Sequence, residues 1–239
     1  MNIALIGYGK MGKAIEAIAL SRGHTIGLII DHDNQAELNP DKLREIDVCI
    51  EFSKPESAVD NYLKCFESGV PVVSGTTGWL DQLDELIKKC ENLNAGFFYA
   101  SNFSLGVNLF FELNRKLVQL MQDFPEYSAS ITEIHHTKKL DAPSGTAITL
   151  AESILAAGNR YTAWKNQTEV NENELPIISF RQGEVPGTHE VIYNSPIDTL
   201  SIKHEAKSRE GFALGAVLAA EFMKGKTGCF GMNDLLKLG

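Results

Sequence analysis

The sequence predicts an α/β protein: a Rossmann-type doubly wound parallel sheet joined to a second α+β domain built on a mixed or antiparallel sheet. Three observations lead there. Short apolar runs alternate with helical patterns over the first hundred or so residues. The first run ends in Gly7-Tyr8-Gly9-Lys10-Met11-Gly12. Beyond the helix that follows, the alternation stops and strand-like runs succeed one another.

Asn2 to Ile6 is too short an apolar run for a helix and leads straight into the G-x-G-x-x-G turn. Ile15, Ile18, Ala19 and Arg22 then fall at helical spacing, Gly23 ends the helix, and Thr25 to Ile30 makes a second strand ending at Asp31. In this context the glycines have separate tasks. Gly7 permits the tight turn, Gly9 lets backbone approach a pyrophosphate at the positive end of the helix, and Gly12 lets helix lie on sheet. Gly7, Tyr8, Gly9, Lys10, Met11 and Gly12 are therefore expected to bind a dinucleotide. Asp31, nineteen residues past Gly12, is expected to accept hydrogen bonds from the adenosine ribose. The residues after it are His32 and Asp33, not arginine, so NADH is favoured over NADPH, with Lys42 and Arg44 as the cations able to fold back toward a 2′-phosphate.

Asp47 to Phe52, Val70 to Ser74 and Gly96 to Ala100 read as three more strands, separated by helices over Pro55 to Glu67 and Trp79 to Cys90. Ligands of such sheets lie outside the C-terminal strand ends. The segments there are Gly75-Thr76-Thr77 and Ala100-Ser101-Asn102-Phe103, with small and hydroxyl residues able to approach a nicotinamide ribose and carboxamide. Taken by themselves they are equally well ordinary polar loops.

Leu105 to Met121 is a long helix in which Leu109, Leu113, Leu117 and Leu120 read as a core-facing stripe. From Tyr127 to His136 the pattern alternates, placing Glu133 and His135 on one face of a strand and His136 on the other. The stretch Glu-Ile-His-His-Thr-Lys-Lys-Leu-Asp-Ala-Pro-Ser-Gly-Thr-Ala, residues 133–147, concentrates the chain's chemistry. Two lysines beside two histidines depress one another's pKa, which suits a proton donor working near neutral pH. Ser144-Gly145-Thr146 opens a helix with apolar positions Ala147, Ile148, Ala151, Ile154 and Leu155, and its free N–H groups suit a carboxylate or phosphate. The competing reading is a solvated charged loop. After a polar stretch, Asn159 to Glu174, come strand-like runs at Ile177 to Arg181, Thr188 to Tyr193 and Leu200 to His204. Then follow an apolar helix, Phe212 to Met223, and a final segment, Gly228 to Leu238, expected to cover the dinucleotide domain. The expected domains are 1–103 with 212–239, for the dinucleotide, and 104–211, for substrate and oligomerisation. A sheet with one open face argues for a homo-oligomer.

Residues 133–147 resemble the signature E-x-H-H-x-x-K-x-D-A-P-S-G-T-A of the 4-hydroxy-tetrahydrodipicolinate reductase (dihydrodipicolinate reductase) family, of the diaminopimelate route to lysine. The Gly75-Thr76-Thr77-Gly78 and Ala100-x-Asn102-Phe103-Ser104 segments are similar to the family's cofactor-lining elements. Arg181-x-Gly183-x-x-x-Gly187-x-His189, and the pair His204 and Arg209, resemble further family patterns. Arg181 and Arg209 hold either substrate carboxylates or the domain interface. The resemblance implies His135 and Lys139 as acid/base candidates, with His136, Ser144, Gly145 and Thr146 gripping a substrate carboxylate, no metal, and a homotetramer. It implies NADH or NADPH as cofactor and a small dicarboxylate as substrate: water is lost, hydride goes to C4 and a proton to C3. The six-residue glycine turn and the short loop after Asn159 depart from relatives that carry an extra glycine and a longer loop. Two alternatives stay open from the residues alone: an NAD-dependent dehydrogenase of another small oxo or amino acid, and a non-catalytic NADH-responsive sensor.

Composition excludes other classes. With 239 residues the chain can bury a sizeable core. A net charge of -9 argues against nucleic acid or anionic membranes as partners. Residues 1–102 hold nine basic and fifteen acidic residues, a net of -6, and residues 103–239 thirteen and sixteen, a net of -3. The relatively basic second part suits an anionic substrate. Cys49, Cys65, Cys90 and Cys229 form no C-x-x-C pair, which points to a reducing cytoplasm and away from zinc. The N-terminus reaches its glycine turn after six residues, leaving no signal-peptide pattern, and no apolar run approaches a membrane span.

Overall fold

The structure is a computed structural model that describes residues 1–157, 160–208 and 210–238. Asn159, the start of the expected polar stretch, and Arg209 lie outside the described residues. In chain order the first elements are β1 (Asn2–Ile6), α1 (Lys10–Ser21), β2 (Thr25–Ile30), α2 (Pro40–Leu43), β3 (Val48–Glu51), α3 (Pro55–Glu67), β4 (Val72–Ser74), α4 (Leu83–Asn92) and β5 (Gly96–Tyr99). Then follow α5 (Leu105–Met121), β6 (Ser128–His135), α6 (Gly145–Ala157), β7 (Ala163–Lys165), β8 (Glu174–Arg181), β9 (Thr188–Asn194), β10 (Thr199–Glu205), α7 (Glu210–Met223), β11 (Gly228–Phe230) and α8 (Met232–Leu236). The chain divides into two compact units, Met1–Leu105 with Glu210–Gly239, and Gly106–Arg209. The first division falls two residues later than the sequence suggested and the second two residues earlier.

The first unit is a six-stranded parallel sheet in the order β11-β5-β4-β3-β1-β2. Its strands read as continuous apolar runs because both faces are covered. Along β1, Ala4 and Ile6 join one core with Tyr62, Phe66, Trp79 and Phe97, while Ile3 and Leu5 join the other with Ile15, Ala216, Val217 and Ala220. The C-terminal segment does more than cover the unit: β11 extends the sheet beside β5, pairing Gly228 with Gly96 and Phe230 with Phe98.

The second unit carries a mixed five-stranded sheet, β10-β9-β6-β8-β7, in which β6 runs parallel to β8 and antiparallel to β9. β7 forms within the stretch expected to be plain polar loop and pairs with the start of β8. One face packs against α5 and α6 through Phe110, Val118, Ala147, Leu150, Ala151 and Ile154. The leucine stripe of α5 differs from expectation. Val107, Phe110, Asn114 and Val118 face the core, whereas Leu109, Leu113 and Leu120 are exposed and only Leu117 packs against the core edge. The buried face sets Phe110 and Val118 in the core, and Asn114, fully enclosed among them, donates its amide to the Leu150 carbonyl at 3.1 Å and so ties α5 to α6. No helix among the described residues is long and apolar enough to cross a membrane.

Candidate active site

The glycine turn is built as its sterics require. Gly7 adopts φ +91°, and a Cβ on it would meet the Phe52 carbonyl oxygen at 2.1 Å. A Cβ on Gly12 would lie 2.3 Å from the Gly7 oxygen, so only glycine lets α1 start this close to the sheet. Gly9 stands at the N-cap of α1 with nothing within 4 Å of where a Cβ would be, leaving the first N–H groups of the helix open to a phosphate. Tyr8 donates its hydroxyl to Glu16, and the Lys13 ammonium lies over the Tyr8 ring. Lys10 is exposed and Met11 half-buried on the first turn. Asp31 follows the end of β2 with its side chain exposed, one oxygen accepting from the His32 N–H at 2.9 Å. Lys42 lies 4.0 Å from Glu37, and Arg44 pairs with Asp41 at 3.1 Å.

Where β3 and β4 end, a cavity of about 270 Å³ is lined by Met11, Phe52, Ser53, Pro55, Gly75, Thr76 and Thr77. Phe52, Ser53 and Pro55 were not singled out from sequence, although the rule about C-terminal strand ends would have found them. Gly75 is required here, since a Cβ would fall 2.2 Å from the Phe52 ring. Two expected side chains are spent inside the unit. The Thr76 hydroxyl accepts from the Ser53 N–H at 2.9 Å, and the Phe103 ring packs in the core against Phe52 and Phe98. Ala100 is buried, with its N–H on the Ser74 carbonyl; Ser101 is exposed and Asn102 caps the Ser104 N–H. A dinucleotide fits this arrangement: open helix N-terminus, bare glycine, exposed carboxylate and a cavity at the strand ends.

In the second unit, β6 alternates as the sequence suggested, with Ala129, Ile131, Glu133 and His135 buried on the helix-covered face. Glu133 is fully buried and anchors the corner. Both its oxygens accept the Ser144 N–H at 3.1 Å and Oε1 also accepts the Ser179 hydroxyl at 2.7 Å. Arg181 Nη2, His135 Nδ1 and His189 Nε2 each lie 3.6 Å from one of its oxygens. Burial by itself would raise this carboxyl, but the hydrogens of His189, Ser144 and Ser179 outweigh it and hold Glu133 well below the usual range.

His135 is 6% exposed, and its pKa is lowered to about 4. Burial is the main cause; Glu133 opposes it, and His189, Lys139 and Arg181 add to it. The imidazole is therefore neutral at pH 7. Lys139 is less enclosed and pairs with Asp141 at 2.8 Å, which holds the Asp141 carboxyl below its ordinary value. Arg181 spends its donors on the carbonyls of Lys139, Asp141 and Phe180, bracing the loop from within the unit. His136 is half-buried with Nδ1 lacking a partner.

Ser144 is placed otherwise than the sequence suggested. It is buried, and its Oγ receives the Ala147 N–H at 3.2 Å and lies 3.0 Å from His189 Nε2, so its hydroxyl caps α6 and does not face outward. The open part of the corner is Gly145 and Thr146: Gly145 is exposed with nothing within 4 Å of its Cβ position. Among the described residues, Glu133, His135 and His189 are the group spaced to hold a metal. The donor set fits one poorly, because the carboxylate already accepts two donors and faces the Arg181 guanidinium.

Both units match known families. The family model for dihydrodipicolinate reductase, N-terminus, covers residues 1–103, and that for dihydrodipicolinate reductase, C-terminus, covers residues 106–236. This chain belongs to the dihydrodipicolinate reductase family. It is 53% identical over 237 residues to a 4-hydroxy-tetrahydrodipicolinate reductase of Christiangramia forsetii, covering 99% of this chain and 98% of that one. It is 34% identical over 250 residues to the enzyme of the same name from Staphylococcus aureus, covering 99% and 100%. Among solved structures it is similar to a dipicolinate-bound dihydrodipicolinate reductase from Paenisporosarcina sp. TG-14, with a TM-score of 0.77 at 23% identity over 98% of this chain and 99% of that one. At that identity the likeness is one of fold: a parallel Rossmann-like sheet with a second, mixed-sheet unit.

Proposed function

We propose that the chain is an oxidoreductase of the diaminopimelate route to lysine, reducing 4-hydroxy-tetrahydrodipicolinate, with loss of water, to tetrahydrodipicolinate. The observation that carries the reading is the corner at residues 133–147. It combines the family signature with an open helix N-terminus, a paired lysine and a neutral buried histidine.

In this reading the glycine turn, Gly7 to Gly12, holds the pyrophosphate of NAD(P)H and Asp31 holds the adenosine ribose, with Gly75, Thr77 and the backbone of residues 100–103 beside the nicotinamide half. The bound cofactor supplies the hydride. The exposed Asp31 carboxylate, with Lys42 and Arg44 each engaged by another acid, favours NADH over NADPH. The N–H groups of Gly145 and Thr146, with His136, take one carboxylate of a small dicarboxylate substrate, and the positive end of α6 offsets its charge. Once hydride has added at C4, Lys139 donates the proton to C3 and stabilises the negative charge that develops there. His135, neutral and enclosed, serves as a hydrogen-bonding group and not as the acid. The exposed leucines of α5, with Phe180 and Leu200 on the sheet strands, suit contacts between copies of the chain in a homo-oligomer, by resemblance a tetramer.

The test is a coupled assay in which aspartate semialdehyde and pyruvate are condensed enzymatically in the presence of the protein and NADH. Oxidation of NADH that requires the condensation step is expected. Binding of NADH without turnover would favour a sensor and overturn the reading.

A further inference from the structure

We propose that Glu133 and His189 are positioning residues for the reaction, acting through Ser144 to hold the anion-binding end of α6 and the His135 imidazole in one fixed arrangement. The inference rests on the function proposed above. It begins from a row of side chains across the sheet. In the strand register Glu133 on β6 stands opposite Ser179 on β8 and opposite His189 on β9, all on the face covered by α6. On that face of β6 Glu133 lies between Ile131 and His135, with Ala129 beyond Ile131, and apolar packing would continue the layer without the cost of burying a charge. A wholly enclosed carboxylate here therefore marks a task other than packing.

The hydrogen bonds show the task. Glu133 receives the Ser144 N–H on both oxygens, and Ser144 Oγ receives the Ala147 N–H. These contacts use up the donors on either side of Gly145 and Thr146, so the two N–H groups left at the head of α6 are those directed outward. His189 fixes the same hydroxyl from the other side at 3.0 Å. His189 Nε2 also lies 3.6 Å from a Glu133 oxygen, so a proton on Nε2 faces both the Ser144 hydroxyl oxygen and the carboxylate. This leaves His189 Nδ1, which has no partner, as the bare nitrogen. The same carboxylate lies 3.6 Å from His135 Nδ1, and the His135 ring stands edge-on to His189 with centroids 5.0 Å apart. Gly187 completes the fit, since a Cβ there would stand 3.2 Å from His135 Nε2. One buried anion thus ties the helix that receives the substrate carboxylate to the strand that carries His135.

The test compares His189→Leu, His189→Gln and Glu133→Gln with the wild type, reading the KM for each substrate in the coupled assay and the Kd for pyridine-2,6-dicarboxylate and for NADH by titration. His189→Leu is expected to weaken dicarboxylate binding by about tenfold, the order of one lost hydrogen bond to an ionic network, with NADH affinity unchanged. His189→Gln, which places an amide donor near the position of Nε2, is expected to recover most of the loss. Glu133→Gln separates positioning from background charge: neutralising a nearby anion would tighten binding of a dianion, whereas a lost anchor loosens it, and loosening is expected. The proposal is overturned if Leu and Gln at 189 behave alike, if NADH and dicarboxylate affinities fall together, or if Glu133→Gln binds the dicarboxylate more tightly. Should His189→Leu fail to fold, the Gln variants decide. A wild type without turnover would count against the proposed function alone, because the pyridine-2,6-dicarboxylate titrations would still report on the anchor.

Discussion

Between pH 8 and pH 5 the wild-type chain should lose stability that a His135→Gln variant keeps. In the folded chain the His135 pKa is lowered from 6.5 to about 4, mainly by burial. The unfolded chain therefore binds a proton in a pH range where the folded chain does not. The sign follows from linkage: the contribution is intact above pH 6.5, declines as pH falls, and is gone below about pH 4. The full shift corresponds to about 3 kcal/mol, of which about 2 kcal/mol is lost by pH 5. Urea unfolding of both proteins at pH 8, 6.5 and 5 measures it, and carboxylates such as Glu133, which titrate in both, cancel in the difference. Glutamine cannot take up a proton, so the gap between variant and wild type should shift by about 2 kcal/mol in favour of the variant on acidification. Parallel stability curves would show that His135 titrates normally, and the argument for a neutral imidazole and for Lys139 as the acid would fail with it.

Three further outcomes are expected. Lys139→Ala should lower turnover by about a hundredfold or more, the usual scale of a general acid, while NADH binding measured by fluorescence stays within about twofold; equal losses in both would contradict the assignment. Asp31→Ala should weaken NADH more than NADPH in paired titrations, and the opposite preference would refute the ribose role. Gly7→Ala combines a positive φ with a Cβ placed 2.1 Å from the Phe52 oxygen. It should destabilise the first unit by about 3 kcal/mol, and a urea midpoint indistinguishable from wild type would sink the steric account of the turn.

What the sequence made legible was what sterics or two-sided burial dictate. The parallel strands show as unbroken apolar runs because neither face meets water, and the glycine turn shows because no other residue fits at Gly7 and Gly12. The alternation along β6 placed Glu133 and His135 together because only one face of that strand is covered by helices. The α5 leucines differ from expectation because that helix has two apolar faces, and periodicity does not say which one meets the core; in the structure it is the face of Val107, Phe110, Asn114 and Val118. β7 is three residues long at a sheet edge and leaves almost no pattern. The inward turn of Ser144, the burial of Phe103 and the neutrality of His135 depend on partners distant in sequence. His189 reaches Ser144 across 45 residues and Ser179 reaches Glu133 across 46, contacts made by strand register and not by local spacing.

A crystal structure with NADH and pyridine-2,6-dicarboxylate bound tests the central claim most directly. One carboxylate is expected on the N–H groups of Gly145 and Thr146, with Lys139 drawn from Asp141 to the ligand and the Ser144 hydroxyl still turned toward His189. A ligand seated away from the head of α6, with Lys139 left on Asp141, would contradict it.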